Sequence, residues 1–134
     1  MKIKITLLRD GAQYPKYAKD LDAGADIFLH SEFKLKYGIN KIPLGFSVEI
    51  PQGFEGQIRP RSGFVLWNDV YVHNPPIDSG YKGEVFALVS TTCLATLKKG
   101  DRICQLVISP VVRADFVSEI IDDRGSGGFY STGR

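Results

Sequence analysis

Five short stretches carry residues whose types suit a phosphorylated substrate. Arg59-Pro60-Arg61-Ser62-Gly63 ends a β-like run and opens a short helical pattern. Arg61, Ser62 and Gly63, with the free N–H groups of that turn, would make an anion site. The plainer reading is a surface turn with Ser62 as a helix N-cap. Asp26, within Ala23-Gly24-Ala25-Asp26-Ile27, either orders water around a hard cation such as Mg²⁺ or forms a turn. Asp78 and Tyr81 flank the turn pair Ser79-Gly80, a hairpin signal that would set both at the lip of a cleft. There Asp78 reads as a general base and Tyr81 as a wall against a sugar; alternatively they are a turn aspartate and a packed aromatic. Gln105 is a polar residue inside the apolar run after Gly100-Asp101-Arg102. Its amide needs partners, which a ligand or the backbone supplies. The final stretch, 124–134, holds four glycines, Arg124, Phe129, Ser131 and Thr132, and no aliphatic residue. It has nothing to bury, so it reads as a free terminus or as a mobile clasp for phosphates and a ring.

The remaining chemistry-bearing residues point nowhere else. Cys93 and Cys104 lack the histidine partners of a zinc site and read as reduced, buried small hydrophobes. His30 and His73 stand far apart and read as structural or exposed. Neither a G-x-x-x-x-G-K-[ST] loop nor a strand–G-x-G-x-x-G–helix unit is present.

Short strands must position these residues. Lys2–Leu8, Ile42–Ile50, Glu55–Arg59, Val70–His73, Glu84–Ser90, Arg102–Ser109 and Val111–Ile121 alternate or run apolar, with β-branched and aromatic residues favoured. Turn signals divide them, and Ser62–Asp69 is the one helical pattern. The spacing predicts an all-β sandwich, barrel or jelly roll in one domain of 134 residues. Seventeen basic against fifteen acidic residues argue against nucleic acid or an anionic membrane as partner. No apolar run approaches the roughly 20 residues of a membrane span. The alternating start reads as a strand and not as a signal peptide; the expected location is the cytoplasm, or a host's cytoplasm for a viral source.

Taken in order, the five stretches resemble the motifs of the trimeric, all-β dUTP pyrophosphatases (dUTPases): Ala23–Ile27, Arg59–Gly63, Ile77–Glu84, Gly100–Leu106 and Arg124–Gly133. The resemblance implies a jelly roll with a distorted barrel, β-clip-like, over 1–123, and a flexible glycine-rich closing tail over 124–134. It implies homotrimers with shared sites that hydrolyse Mg²⁺-bound dUTP to dUMP and pyrophosphate, limiting uracil in DNA and supplying dUMP for dTTP synthesis. By motif position, Asp78 would activate the water that attacks the α-phosphorus. Tyr81 would pack under the deoxyribose and exclude a 2′-OH. Backbone near Asn74 to Ile77 and at Phe86 would read uracil. Arg61, Ser62, Gly63 and Gln105 would hold phosphates, and Asp26 would orient the water shell of the metal. Phe129 would stack on uracil, with Arg124, Ser131 and Thr132 on the outer phosphates. Carboxylates are ionised at neutral pH and usable as bases.

The sequence departs from the family pattern at Pro75-Pro76, where backbone N–H donors are lost, and at Tyr130, in place of a glycine. The related dCTP deaminases place a glutamate at the position of Leu88, so deamination is disfavoured.

Overall fold

The computed structural model describes residues 1–121, apart from the side chains of residues 67 and 68. Its elements are β1 (Ile5–Leu7), β2 (Ala25–Phe28), β3 (Phe33–Leu35), β4 (Gly38–Pro43), β5 (Phe46–Val48), β6 (Phe54–Pro60), α1 (Ser62–Asn68), β7 (Val70–His73), β8 (Phe86–Thr91), β9 (Ala95–Leu97) and β10 (Arg102–Pro110). The strands pair antiparallel in four small sheets, ordered β1-β5, β2-β10-β6, β3-β9 and β4-β8-β7. The all-β reading holds, with α1 as the only helix among the described residues and no sheet closed into a barrel there.

Alternation in sequence becomes burial in the fold. In β4, Asn40 and Ile42 point inward while Ile39 and Lys41 point out, and β8 alternates in the same way. The inward set, with Ile27, Leu29, Leu44, Phe46 and Ile103, is essentially closed to water. Each large apolar side chain of this set stabilises the fold by about 1.5–3 kcal/mol through burial. Asn40 is a polar member of this core and is fully bonded. Its Oδ1 accepts from the Lys36 N–H at 2.9 Å, and its Nδ2 donates to the carbonyls of Lys36, Gly38 and Val89 at 2.9, 3.2 and 3.2 Å.

Several expectations are corrected. Ile42–Ile50 is two strands, because Gly45 sits at φ 82° and turns the chain between β4 and β5. Asp26 lies in β2, buried, and not in a turn. Ser62 is the first residue of α1; Arg61 is the N-cap residue and makes no side-chain cap bond. The helix ends at Asp69, left-handed at φ 47°, a conformation a short polar side chain tolerates. Cys104 is buried, as expected, but Cys93 is exposed. Val111–Ile121 forms no strand. Apolar character did not suffice there: beyond the Val111 N–H, which donates to the Gly53 carbonyl at 2.9 Å, the segment pairs with no strand of the described residues, and Val112 and Phe116 are 93% and 96% exposed. No helix of the described residues is long and apolar enough to cross a membrane.

Candidate active site

The residues singled out from sequence assemble into two groups. The first lies across β2-β10-β6. Register sets Gln105 opposite Asp26 on one side and Arg59 on the other, so their side chains share one face. A bulge in β10 shifts the pairing between Arg102 and Cys104. The guanidinium of Arg61, just beyond β6, donates from Nε to Asp26 Oδ1 at 3.0 Å, and Arg102 Nη1 stands 3.6 Å from Oδ2. Two guanidiniums on one buried carboxylate leave this end of the sheet with a net positive charge. Gln105 donates from Nε2 to the Pro60 carbonyl at 3.3 Å. That bond supplies the backbone partner its sequence position required. Gly24 is a steric necessity here: a Cβ would overlap the Gln105 amide oxygen and come within 2.8 Å of its Cβ. Ser62 is exposed and Gly63 half-buried at the start of a helix of only seven residues.

The second group forms a cleft of about 230 Å³ between β4, β8 and the loop that joins β7 to β8. Its floor follows from register. Lys41, Leu88 and His73 form one transverse row, with Pro43 and Phe86 in the next. The loop 74–85 closes it, with Asp78 and Tyr81 on the rim. The anticipated tight hairpin is instead a turn. The Tyr81 N–H donates to the Asp78 carbonyl at 3.0 Å, and Ile77 makes a single bridge to Gly56, donating at 2.7 Å and accepting at 2.9 Å. Both main-chain polar groups of Ile77 thus carry a bond within the fold, and its carbonyl oxygen keeps a second lone pair.

Phe86 is different. The Leu44 N–H donates to the Val85 carbonyl at 3.0 Å. In an antiparallel ladder the next pair, Pro43 and Phe86, is then a non-hydrogen-bonded one, so the N–H and C=O of Phe86 face away from β4. On that side β7 has ended at His73, and the position that would pair with Phe86 is Pro75, which has no N–H to give. A donor and an acceptor of one residue thus face the gap beyond β7. The Lys41 ammonium lies 4.2 Å from the Phe86 ring centre, over its face.

The rim is braced from a distance. Arg9 forks onto Glu84, with Nε to Oε2 at 2.7 Å and Nη2 to Oε1 at 2.8 Å, and the Gly45 N–H donates to Oε2 at 2.9 Å. The Arg9 hydrogen bonds hold the Glu84 carboxyl below its ordinary value, aided by the Gly45 N–H and opposed by burial. The Tyr81 hydroxyl donates to the Glu84 carbonyl at 2.7 Å.

A family model described as dUTPase matches residues 10–133. The chain belongs to the dUTPase family. It is 41% identical to the deoxyuridine 5′-triphosphate nucleotidohydrolase of Clostridium tetani over 98% of this chain and 97% of that one. It is 42% identical to the enzyme of the same name from Nautilia profundicola over the whole of both chains. Among solved structures, the dUTPase of Staphylococcus bacteriophage 80alpha with bound dUpNHpp superposes with a TM-score of 0.79, at 24% identity and 99% coverage of both chains. The dUTPase of phage phi11 of S. aureus, described with a structural Mg(II) ion, gives 0.79 at 23% identity, covering 89% of this chain and 98% of that one. These two likenesses establish the shared fold.

Within that dUTPase fold, the structure brings Asp26, Arg61 and Gln105 together, and separately Asp78, Tyr81, Ile77 and Phe86, with Asn74 exposed between β7 and the cleft. Arg124, Phe129, Ser131 and Thr132 lie outside the described residues. Sequence reasoning missed Lys41 and His73, which reach the cleft only through cross-strand register. It also missed Arg102, Arg9 and Glu84. Arg102 stood in plain view beside Gln105. Arg9 and Glu84 are 75 residues apart and carry no local signal.

Proposed function

We infer that the chain hydrolyses dUTP, carried as its Mg²⁺ complex, to dUMP and pyrophosphate. The observation that carries this reading is Asp78 and Tyr81 together on the rim of a small, mostly apolar cleft. At about 230 Å³ the cleft is below the usual 300–1,000 Å³ of a whole-ligand pocket. It suits the base and sugar, leaving the triphosphate outside. The outward N–H and C=O of Phe86 match an edge that offers one acceptor and one donor, as a uracil edge does. Tyr81 lies against the sugar and leaves no room for a 2′-OH. Asp78 accepts the proton of the water that attacks the α-phosphorus; the bond to the β-phosphate oxygen breaks, and pyrophosphate departs.

Among the described residues no three His, Cys, Asp or Glu side chains gather as a metal-ligand set. Mg²⁺ therefore belongs with the triphosphate oxygens as part of the substrate. Asp26 contacts it at most through water, because its carboxylate already serves two arginines. The net positive charge of the Asp26–Arg61–Arg102 group suits a polyanion. No described bond or ion pair joins this group to the Asp78 cleft, which favours sites shared between copies in a homotrimer. The uncovered apolar residues of 111–121 favour assembly as well. A domain of residues 1–123 with a closing segment of 124–134 completes the proposal. The product dUMP is a precursor for dTTP, and its formation keeps uracil out of DNA.

The test is pyrophosphate release from dUTP with Mg²⁺, for the natural chain and Asp78→Asn. Turnover is expected in the first and a loss of about 10²–10⁴-fold in the second, with dUTP binding retained. Binding without turnover in both would remove the enzyme reading.

A further inference from the structure

We propose that Arg9 is a positioning residue for sugar discrimination, fixing the Tyr81 ring through Glu84 and so setting how firmly a 2′-hydroxylated nucleotide is refused. The proposal rests on the reading of Tyr81 as the wall beneath the deoxyribose. Tyr81 is 43% exposed, so core packing does not immobilise its ring. Hydrogen bonds do. Its N–H is tied to the Asp78 carbonyl at 3.0 Å and its hydroxyl to the Glu84 carbonyl at 2.7 Å. The phenol end of the ring also lies close to Gly83, where an added Cβ would stand 2.6 Å from the phenol oxygen and 2.9 Å from Cζ.

Glu84 is thus the anchor of the ring, and Glu84 is itself held by two remote segments. Arg9, just past β1, takes both carboxylate oxygens, and Gly45, between β4 and β5, adds its N–H. The same two segments are joined to each other by the Leu8 N–H to the Gly45 carbonyl at 2.7 Å. Next to Glu84, Val85 donates to the Phe46 carbonyl at 2.8 Å and accepts from Leu44 at 3.0 Å. The Glu84 carbonyl that receives the Tyr81 hydroxyl shares its planar peptide with the Val85 N–H, so Phe46 holds it from one side, while the Arg9 fork holds the Glu84 side chain and with it the Cα on the other side. Rejecting one extra hydroxyl by contact requires a wall that does not yield, since a compliant pocket discriminates poorly. Arg9 adds to that stiffness from the side-chain end of Glu84. Its planar fork does so in a way that a lysine, a single point charge, does not.

The experiment compares kcat/KM for dUTP and UTP in the natural chain, Arg9→Met, Arg9→Lys, Glu84→Gln and the Arg9→Met/Glu84→Gln pair. Melting temperatures are recorded alongside. Arg9→Met is expected to erode the dUTP-over-UTP preference about tenfold, mainly through a gain in UTP binding. Arg9→Lys should fall between, and the pair should match the single variants instead of adding to them. Equilibrium affinities for dUMP and UMP repeat the comparison without turnover. An unchanged preference, with both substrates falling together or only the melting temperature falling, would show that Arg9 merely stabilises and would overturn the proposal. No dUTP turnover and no dUMP preference in the natural chain would instead sink the functional reading and this one with it.

Discussion

Asp26 Oδ1 accepts the Arg61 Nε hydrogen at 3.0 Å, joining the middle of β2 to the residue that opens α1. The bond fixes the direction of a guanidinium that would otherwise sweep a surface loop. The carboxylate is buried while Arg61 and Arg102 stay partly open to water. Asp26→Asn keeps the shape and removes the charge. It is expected to cost about 1.5–3 kcal/mol of stability, as for a lost charge-assisted bond. It should also raise KM for Mg²⁺-dUTP, because the arginines lose their aim. Thermal melts and steady-state kinetics check both outcomes; an unshifted melt with normal KM would mean that the pair does neither.

Gly24 makes a sharper steric prediction. Its neighbour Gln105 occupies the space a side chain would need, and Gln105 is braced on the Pro60 carbonyl. Gly24→Ala must displace that amide or move β2 away from β10. Overpacking of this kind costs about 1–3 kcal/mol. The displaced Gln105 should also bind phosphate less well, so KM rises more than kcat falls. A crystal structure of the variant with Gln105 unmoved would contradict this account.

What was legible in the sequence was whatever depended on near neighbours. Val70–His73 is a strand end to end, and Arg102–Ser109 and Glu55–Arg59 differ from β10 and β6 by single terminal residues, because each carries its own alternation and turn signals. Val111–Ile121 carries the same apolar signal yet forms no strand, since a strand also needs an edge to pair with. The cleft was half legible. Asp78 and Tyr81 announce themselves beside a turn, but Lys41 and His73 enter through the register with Leu88, which no local pattern encodes. The brace of Arg9 on Glu84 is a property of the folded chain alone.

That brace predicts an acid response. Arg9 favours the ionised form of Glu84, so the folded chain binds this proton more weakly than the unfolded chain, whose reference value is about 4.5. The stabilisation is therefore complete above about pH 4.5 and is lost as pH falls through the lower folded value. The natural chain should melt above Glu84→Gln at neutral pH, with the gap closing as the pH falls below about 4.5. A gap independent of pH would show that Gln disturbs packing and not charge.

Ending the chain after Asp123 separates fold from function. Among the described residues every strand, the helix and the core lie within 1–110, and the truncation removes none of them. The shortened protein is expected to keep its far-UV circular dichroism, its melting temperature and its assembly state. If 124–134 closes over the bound nucleotide as proposed, the shortened protein should lose about 10²-fold or more in dUTP turnover, because closure excludes water and fixes the reactive geometry. Arg124, the first residue removed, supplies a testable intermediate: Arg124→Ala should show part of that loss through weakened binding of the outer phosphates. Full turnover in the truncated chain would place the whole reaction within residues 1–123, whereas a lowered melting temperature would mean that 124–134 packs against the body of the protein.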